Sequence, residues 1–475
     1  MYLGNDIMNK ILNKKAKFYV LTLFFVLFIP SLHLSATNAT TYQLKDIGTT
    51  AMLQGFYWNV PAGGTWYNTV ASKINTIANA GWGVGFDNVW LPPAEKATTS
   101  DNMGYEPVDY YDLGSYNQRG GVETRFGSQT ELLNLINGLK TDGIRVTADI
   151  VLNHDGFGAW DPNAQGYYDF SNVSSGKFLR SAYDFHSPGW CQYASSDSGA
   201  FSDLPDLCLE NPYDWQNIMT WGQWLRDTIG FTNWRLDYVK GYSPSVASDW
   251  LNPAYGPGGW GVGENWDGNV ANIENWIASA NYRPSAFDFP LYYTLQAMND
   301  GNGYFDMSQL DHAGLAGVDP MHAVTFVANH DTDTISQGWA KGMAYAYILA
   351  SEGYPSVFWH DYFDWGFNNV IDTVMNVRYY HAGGTTTTLY KDQDLYIMQR
   401  NGDATHNGLI LMMNDGPSWS GQWVQTKFLS QTLYNFAFDG SSGFPVQNNA
   451  NNEVTQSNGW VQLWAPPKGF SIWFT

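Results

Sequence analysis

The stretch FTNWRLDYVKGY, residues 231–242, places an arginine and an aspartate two positions apart in a short apolar strand. Alternate side chains of a strand point to opposite faces, so Arg235 and Asp237 share one face and can form an ion pair there. The pair can be a buried one whose charges only satisfy each other, or it can keep a carboxylate ionised for chemistry. Lys240 adds a third charge just after the strand. The other acids of the sequence bear on this choice.

Two further acids lie at the ends of other apolar runs. Glu264 belongs to WGVGENW, and Asp331 follows AVTFVANH, which also supplies His330. A single acid after a strand is often only a helix cap or a solvated loop residue. Three carboxylates at one edge would repel each other, and this repulsion raises the pKa of one of them so that it keeps its proton. A protonated acid beside an ionised carboxylate can perform general acid and nucleophilic catalysis.

The elements that must position these acids are eight short apolar runs, which alternate with helix-like segments from residue 51 onward. Eight strands alternating with helices over roughly 330 residues predict a (β/α)8 TIM barrel, which brings the carboxyl ends of all strands to one rim. The three acids are therefore expected to converge there. The runs are AMLQGFYW, FDNVWLPP, GIRVTADIVLNH, FTNWRLDY, WGVGENW, SAFDFP, AVTFVANH and YPSVFWHDYF.

The spacing of the runs also divides the chain into domains. We assign residues 45–154 and 212–381 to the catalytic barrel. The interval after the third run is too long for a structureless loop, so residues 155–211 are predicted to form an inserted subdomain after strand 3. Residues 382–475 change to short strands with turns and predict a C-terminal antiparallel β-sandwich.

Composition limits the partners and the compartment. The 475 residues carry a formal net charge of −21, which argues against nucleic acid as a partner and fits a neutral substrate, although the charge can serve solubility alone. Residues 1–36 combine lysines, a short apolar run and a small-residue exit, which indicates a signal peptide rather than a membrane anchor. We therefore expect a secreted or periplasmic protein without a membrane segment after cleavage. In that oxidising compartment its two cysteines, Cys191 and Cys208, could form a disulfide or bind metal.

Four motifs in chain order carry a family resemblance: DIVLNH (149–154), WRLDYVKGY (234–242), GVGENWD (261–267) and FVANHD (326–331). They resemble the four sequence regions of the α-amylase family of glycoside hydrolases. QGFYW, DYVKGY and FVANHDTD look most like the archaeal and plant members of that family. The resemblance implies retaining, endo-acting hydrolysis of α-1,4-glucosidic bonds in starch or glycogen.

The resemblance implies a role for each acid. Asp237 would be the nucleophile, Glu264 the general acid and later the base, and Asp331 the third acid that holds sugar hydroxyls. Arg235 would keep Asp237 ionised through charge pairing. The residues expected to grip the sugar at the cleavage point are Tyr105, His154 and His330.

Aromatic and basic side chains near the strand ends are further substrate-binding candidates. Trp58 and Trp266 offer flat apolar faces to pyranose rings, and simple packing is the alternative for both. Lys240 could hydrogen-bond a sugar in the next subsite, or it could only fix the loop after its strand.

The resemblance also implies a calcium ion that links the subdomain to the barrel. Calcium prefers six to eight oxygen ligands. Without the resemblance, the two aspartates among the candidates would be interpreted as solvated loop acids. The candidate ligands are Asn153, Asp197, the Gly199 carbonyl, Asp206 and the Gly241 carbonyl.

A zinc ion accompanies the calcium in archaeal relatives, where two histidines and a cysteine bind it. His186 and Cys208 match two of these ligands, and Cys191 stands at about the spacing of the missing histidine. The three residues could form a thiolate-rich zinc site. Two lone cysteines in an exported protein more often form a disulfide, and we favour the disulfide.

The leading interpretation is a monomeric enzyme that acts on α-glucan polysaccharide. The alternatives within the same fold are a transglycosylase and a hydrolase specific for short maltooligosaccharides. A catalytically inactive glucan-binding barrel is disfavoured because all three acids are present.

Overall fold

Eight parallel strands close into a barrel in the computed structural model, which describes residues 49–194, 201–442, 446–448 and 451–475. The strands follow chain order around the ring, and the last pairs with the first, with Leu53 opposite Val357. Each of the eight apolar runs contains one barrel strand, so the predicted fold class is confirmed. The predicted signal peptide, residues 1–36, lies outside the described residues.

The strands up to the end of the barrel include the eight of the ring and two short hairpins, β3–β4 and β6–β7. In chain order they are β1 (Met52–Gln54), β2 (Asn88–Leu91), β3 (Lys96–Ala97), β4 (Pro107–Asp109), β5 (Arg145–Ile150), β6 (Ala159–Asp161), β7 (Gly166–Asp169), β8 (Asn233–Leu236), β9 (Trp260–Gly263), β10 (Ser285–Phe287), β11 (Ala323–Phe326) and β12 (Tyr354–Phe358).

Helices alternate with the ring strands, and no helix of the described residues has the length and apolar character that a membrane span requires. The helices are Trp66–Ala71, Ile74–Gly83, Gln129–Thr141, Pro212–Trp224, Pro244–Trp250, Val270–Ser279, Phe289–Gly301, Gly338–Ala350, Trp359–Phe363 and Asn368–His381. A π-helical turn, Leu225–Ile229, continues the fourth of them, and short 3-10 turns lie at Ala182–Asp184, Val239–Gly241, Met307–Leu310 and Leu315–Gly317.

The helix Gln129–Thr141 shows how the sequence sets these elements. Ser128 caps its first turn by accepting a hydrogen bond from the Glu131 amide, and the Glu131 carboxylate accepts one from the Ser128 amide in return. Its apolar residues recur at helical spacing and are buried. They are Leu132, Leu135, Ile136 and Leu139.

The segment inserted after β5 is built around one buried arginine. Arg180 donates from Nε to the Asp155 carboxylate at 2.5 Å and from its terminal nitrogens to the carbonyls of Phe178 and Val108. Its guanidinium also lies over three aromatic rings, those of Tyr110, Phe170 and Phe178. The arginine thus joins Asp155, at the start of the inserted segment, to strand β4, which contains Val108.

The C-terminal domain has two antiparallel layers. Its strands are β13 (Thr386–Lys391), β14 (Leu395–Arg400), β15 (Leu409–Asn414), β16 (Ser420–Gln425), β17 (Thr432–Phe438), β18 (Val446–Asn448), β19 (Glu453–Val454), β20 (Trp460–Ala465) and β21 (Gly469–Phe474). The larger sheet has the order β13-β14-β15-β21-β17-β18, with β19 beside β17, and β16 and β20 form a separate two-stranded ribbon. Apolar side chains such as Ile410, Val461 and Trp473 form a core shared by the sheet and this two-stranded ribbon.

We predict that Asp155→Asn destabilises the protein by about 3 kcal/mol, because Arg180 would remain buried without its counter-charge. The free energy of unfolding, measured by denaturant titration, tests this expectation. Asp227→Asn is the matched control, since Asp227 pairs with Arg226 at the surface and its loss should change little. Equal effects of the two substitutions would contradict the anchoring role of the buried pair.

Candidate active site

The barrel ladder fixes the backbone of two predicted site acids. The amide of Asp237 donates to the Ile150 carbonyl, and the amide of Glu264 donates to the Leu236 carbonyl, each at 2.9 Å. Both bonds continue the parallel pairing one residue beyond the strands β8 and β9. The two carboxylates therefore stand at the carboxyl ends of neighbouring strands, where barrels of this kind place their active sites.

One guanidinium gathers the acids. Arg235 is almost fully buried, and its Nη1 lies 2.8 Å from Asp149 Oδ1 and 2.6 Å from Asp237 Oδ1. Its Nη2 lies 2.8 Å from Glu264 Oε1. The structure thus brings together the arginine and two of the acids predicted from the sequence, and Arg235 contacts both.

Asp149 is a site residue that the sequence reasoning missed. It pairs directly with Arg235 across β5 and β8, and its Oδ2 accepts hydrogen bonds from Tyr105 and Trp90. An acid inside the apolar run TADIV was the available signal, because a buried carboxylate requires partners. Asp149 shares Nη1 of Arg235 with Asp237 and thereby orients the guanidinium from the neighbouring strand, while Nη2 contacts Glu264.

Tyr238 turns its backbone toward Glu264. Its φ of 41° lies in the left-handed region, which is uncommon for a residue other than glycine. In this conformation its amide donates to Glu264 Oε2 at 3.0 Å. Each oxygen of Glu264 therefore has a partner, Arg235 for one and the Tyr238 amide for the other.

The shared guanidinium cannot neutralise all the acids around it. Burial raises the pKa of Glu264 to about 7, with the Asp237 charge adding to the shift and Arg235 opposing it. Burial also raises the pKa of Asp237 to about 6, and there Arg235 opposes the shift and Asp149 adds to it. Near neutral pH, Asp237 is mainly ionised while Glu264 keeps a large share of its proton.

Asp331 enters the same cluster from the loop after β11. Burial raises its pKa to about 6, with the charge of Glu264 adding to the shift. Its Oδ2 lies 3.1 Å from Nε2 of His330, and its side chain is one-third exposed. It is thus the more accessible of the three predicted acids.

His330 is held as a neutral ring. Its Nδ1 lies 2.9 Å from the Gln54 amide nitrogen, which can only donate, so the ring proton is on Nε2. That Nε2 lies 2.8 Å from the Tyr105 hydroxyl, which donates its own proton to Asp149. Burial, with the Arg235 charge adding to it, lowers the pKa of His330 well below its usual value. The ring therefore offers a proton donor next to Asp331 without adding charge.

Aromatic rings form one wall of the site. The rings of Tyr105 and His330 lie nearly parallel, with centroids 5.4 Å apart. Trp58 stacks near both and remains 47% exposed, so one of its faces is available to a ligand. This arrangement favours the substrate-binding interpretation of Trp58 over simple packing.

The loops after β8 and β9 are tied together by Lys240. Its Nζ donates to the Trp266 carbonyl at 2.7 Å and lies 3.2 Å from the Asp267 carboxylate. Trp266 stacks on Phe289 and donates from its indole to Tyr293. These contacts favour a positioning role for Lys240, and they give Trp266 a packing role beside its exposed face.

His154 is buried beside the site. Its Nε2 lies 3.0 Å from the Tyr105 carbonyl, to which it donates, and its Nδ1 lies 3.3 Å from the Asn153 amide nitrogen. Phe201 stacks on the ring. In this structure His154 therefore positions the Tyr105 loop, and a sugar contact remains a prediction.

Three of the five predicted calcium ligands come together. The Leu207 amide donates to the Asn153 carbonyl, and His154 and Asp206 form a backbone bridge. A Cβ at Gly241 would lie 2.0 Å from Asn153 Oδ1, so only glycine allows this approach. That oxygen is buried without a hydrogen-bond donor among the described residues, which fits a cation that prefers oxygen. Asp197 and Gly199 lie outside the described residues.

The zinc alternative is not supported. Cys191 and Cys208 form a disulfide, so neither sulfur is a thiolate that could bind zinc. His186 lies near both cysteines, but its ring nitrogens contact carboxylates, Nδ1 that of Asp206 and Nε2 that of Glu210. The disulfide that we favoured from the sequence is the one that the structure contains.

Two family models match the chain. The model described as the α-amylase catalytic domain matches residues 64–250, and the model described as the α-amylase C-terminal domain matches residues 409–474. The first match begins after β1 and covers the barrel from β2 to the helix that follows β8, together with the inserted segment.

Several named enzymes from other organisms match this chain over most of their own length. A glucan 1,4-α-maltohexaosidase from Bacillus sp. (strain 707) is 28% identical, with 97% of this chain and 98% of that protein covered. An α-amylase from Geobacillus stearothermophilus is 29% identical, with 88% and 87% covered. An α-amylase from Bacillus licheniformis is 28% identical, with 87% and 91% covered.

Solved structures share the fold. An α-amylase from Geobacillus thermoleovorans, in complex with acarbose, superposes with a TM-score of 0.65 at 16% identity and covers 90% of this chain and 98% of its own. An α-amylase from Malbranchea cinnamomea superposes with a TM-score of 0.65, again at 16% identity, with 90% and 96% covered. At this identity the likeness concerns the fold alone.

The raised pKa of Glu264 predicts that stability falls as pH rises. The native state holds this proton more tightly than the unfolded chain does, so folding loses free energy between about pH 4.5 and pH 7. Glu264→Gln removes the charge and should stabilise the protein by about 2 kcal/mol at pH 8, with no gain at pH 4. Unfolding titrations at both pH values measure this difference.

Glu131→Gln is a control of opposite sign. Hydrogen bonds from the Ser128 backbone and side chain lower the pKa of Glu131, so its charge stabilises the fold above the unfolded pKa. The free energy of unfolding of that variant, relative to the wild type, should therefore be lower at pH 8 than at pH 4. If Glu264→Gln were also less stable relative to the wild type at pH 8 than at pH 4, the assigned rise in the pKa of Glu264 would be wrong.

Proposed function

Because this chain belongs to the α-amylase family of glycoside hydrolases, we propose that it hydrolyses α-1,4-glucosidic bonds in starch-type glucans with retention of configuration. The observation that carries the mechanism is the single guanidinium of Arg235, which contacts both Asp237 and Glu264. Retaining enzymes hold such a carboxyl pair at about 5 Å, close enough for one group to attack the carbon whose leaving oxygen the other protonates.

In the first step Asp237 and Glu264 act together. The ionised Asp237 attacks the anomeric carbon, and the bond from that carbon to the glycosidic oxygen breaks. Glu264 gives its proton to the departing oxygen, so the leaving chain departs as a neutral alcohol. The pKa values of about 6 and about 7 give each group the protonation state that this step requires.

In the second step the roles reverse. The carboxylate of Glu264 takes a proton from water, and the water oxygen attacks the anomeric carbon and displaces Asp237. Two inversions give net retention. The products are a reducing glucan end, a regenerated Asp237 carboxylate and a protonated Glu264, which is the starting state of the enzyme.

Neighbouring groups hold the sugar in this cycle. The Asp331 carboxylate accepts hydrogen bonds from ring hydroxyls, and the neutral ring of His330 lies beside that carboxylate. Trp58 and Tyr105 present aromatic rings to the same sugar. Together they fix the ring against the attacking oxygen, which is how a site lowers the entropic part of the barrier.

Calcium is part of the proposal. Asn153, Asp206 and the Gly241 carbonyl would hold it, together with Asp197 and Gly199 from the residues that are not described. The ion would supply structural charge between the inserted segment and the loop after β8. The buried Asn153 oxygen and the close approach at Gly241 support this assignment.

We propose that the protein is exported and acts as a monomer. The lysines and apolar run within residues 1–36 support export. A disulfide between Cys191 and Cys208 is consistent with an oxidising compartment.

A product time course on soluble starch tests the proposed reaction. Rapid loss of iodine staining, with mixed oligosaccharides as early products, is expected of endo-hydrolysis. Accumulation of a single short product from the start would favour the maltooligosaccharide-forming alternative, which the name of the Bacillus maltohexaosidase makes a specific competitor. Elongated or cyclic products would favour transglycosylation.

We predict that Asp237→Asn lowers kcat on starch by on the order of 10³-fold or more, because a neutral amide cannot form the glycosyl intermediate. The melting temperature should be no lower than that of the wild type, because burial raises the pKa of Asp237 and its charge therefore costs folding free energy near neutral pH. The exposed Asp227→Asn is the control and should keep full activity. An Asp237→Asn enzyme with a tenth of wild-type kcat would refute the assignment of the nucleophile.

Calcium removal should lower the melting temperature. An ion that binds only the native state stabilises it by about 2.7 kcal/mol at a hundredfold excess over its dissociation constant. The measurement compares thermal melts with excess calcium and with chelator for wild type, Asp206→Ala and the exposed neighbour Asp203→Ala. Asp206→Ala should show a smaller response, and Asp203→Ala should respond as the wild type does. If the chelator leaves the melting temperature of the wild type unchanged, and metal analysis shows that no metal remains bound, the calcium site is excluded.

A further inference from the structure

Four exposed tryptophans lie on the ribbon of the C-terminal domain, and the mechanism uses none of them. Trp419, Trp423, Trp460 and Trp464 are exposed by 50%, 49%, 39% and 40%. We call this set the tryptophan strip. Large aromatic residues are normally more deeply buried, and an apolar patch of this kind on a protein surface commonly marks a binding site.

The pairing of β16 with β20 arranges the rings in a row. Trp460 pairs with Gln425, Trp423 with Gln462, and Trp464 with Gly421. These residues share the outer face, because alternate residues of each strand are buried. The rings therefore alternate between the two strands at steps of two residues, about 6.7 Å each. Trp419, just before β16, extends the row by one step.

Gly421 makes one ring lie flat. A Cβ at this position would lie 2.7 Å from three atoms of the Trp464 indole, Cδ2, Cε2 and Cε3. The indole therefore rests on the backbone of the neighbouring strand, and its opposite face points outward. A flat, supported ring of this kind is the surface that the apolar face of a pyranose requires.

Packing within the domain does not account for the strip. The inner face of the ribbon already supplies Val424, Val461, Leu463 and Ala465 to the core that it shares with the larger sheet. The four tryptophans are absent from that core. The ribbon is thus held in place by its inner face, and the outer rings remain available to a ligand.

The absence of charge on the two strands of the ribbon favours a neutral ligand. Neither β16 nor β20 contains a charged residue, although the chain as a whole carries a net charge of −21. Besides its tryptophans, the outer face offers the amides of Gln425 and Gln462, which can hydrogen-bond hydroxyls. A neutral polymer with apolar ring faces and many hydroxyls complements this surface.

We propose that the tryptophan strip is a second α-glucan binding site, which holds a polysaccharide chain or granule while the barrel cleaves it. The proposal depends on the proposed function for its choice of glucan. The strip would raise the local concentration of substrate through two-point attachment, so its effect should be large on insoluble starch and absent on short soluble substrates.

Binding and activity of Trp423→Ala/Trp464→Ala test this proposal. Affinity for granular starch and for glycogen is measured in an Asp237→Asn background, so that the substrate is not consumed. We expect the Kd of the double variant for granular starch to rise about tenfold, as loss of the stacking contacts implies. In the active background its kcat/KM on maltoheptaose should equal that of wild type. Trp464→Phe should restore part of the binding, and Tyr304→Ala, which removes an 88% exposed aromatic ring elsewhere, should leave it unchanged.

The outcomes separate this proposal from the proposed function. If wild type cleaves maltoheptaose but the double variant binds starch as tightly as its parent, the tryptophan strip is not a glucan site. If wild type is a dimer and the double variant a monomer, the strip is a contact between copies of the chain, and the proposal is wrong. If wild type cleaves no glucan at all, the proposed function is wrong, whatever the binding measurements show for the tryptophan strip. A loss of binding accompanied by a large fall in melting temperature in both Trp464→Ala and Trp464→Phe would show a structural role instead.

Discussion

The site depends on one guanidinium that is buried among more carboxylates than it can neutralise. Arg235 contacts Asp149, Asp237 and Glu264 within the carboxyl rim of the barrel. Asp331 interacts electrostatically with Glu264 and Arg235. A buried arginine is stable only when it is paired, and buried carboxylates are stable only when they share a proton or a cation. Burial, with the charge of Asp237 adding to it, holds the proton on Glu264 against the opposing effect of Arg235.

The surrounding shell follows from this constraint. Asp149 is fixed by Tyr105 and Trp90, and the Tyr105 hydroxyl accepts from a histidine that Gln54 keeps in one tautomer. A neutral His330 adds no positive charge to the cluster. A positive charge there would reduce the repulsion between the carboxylates and lower the pKa of Glu264. The shell thus maintains both the geometry and the charge imbalance that the reaction requires.

Two regions outside the barrel serve the site in different ways. The inserted segment is anchored through the buried pair of Arg180 and Asp155, and a backbone bridge joins His154 to Asp206 at its base. The C-terminal domain keeps its apolar core on one side of a ribbon and shows a row of neutral aromatic rings on the other. One region stabilises the rim, and the other is suited to hold the polymer.

The sequence by itself determined the barrel, because apolar runs of strand length alternated with helical segments eight times, and each run became one ring strand. It also identified Arg235, Asp237, Glu264 and Asp331, since charged residues at the ends of apolar strands are costly without a purpose. For Cys191 and Cys208 it favoured a disulfide over a zinc site, and the structure contains that disulfide. Only the tertiary structure decided that Asp149 pairs with Arg235, that Tyr238 turns its amide to Glu264, and that Lys240 bonds to the Trp266 loop. These contacts join residues on different strands and loops, and the distances between such residues depend on strand register and backbone conformation, which local sequence patterns do not specify.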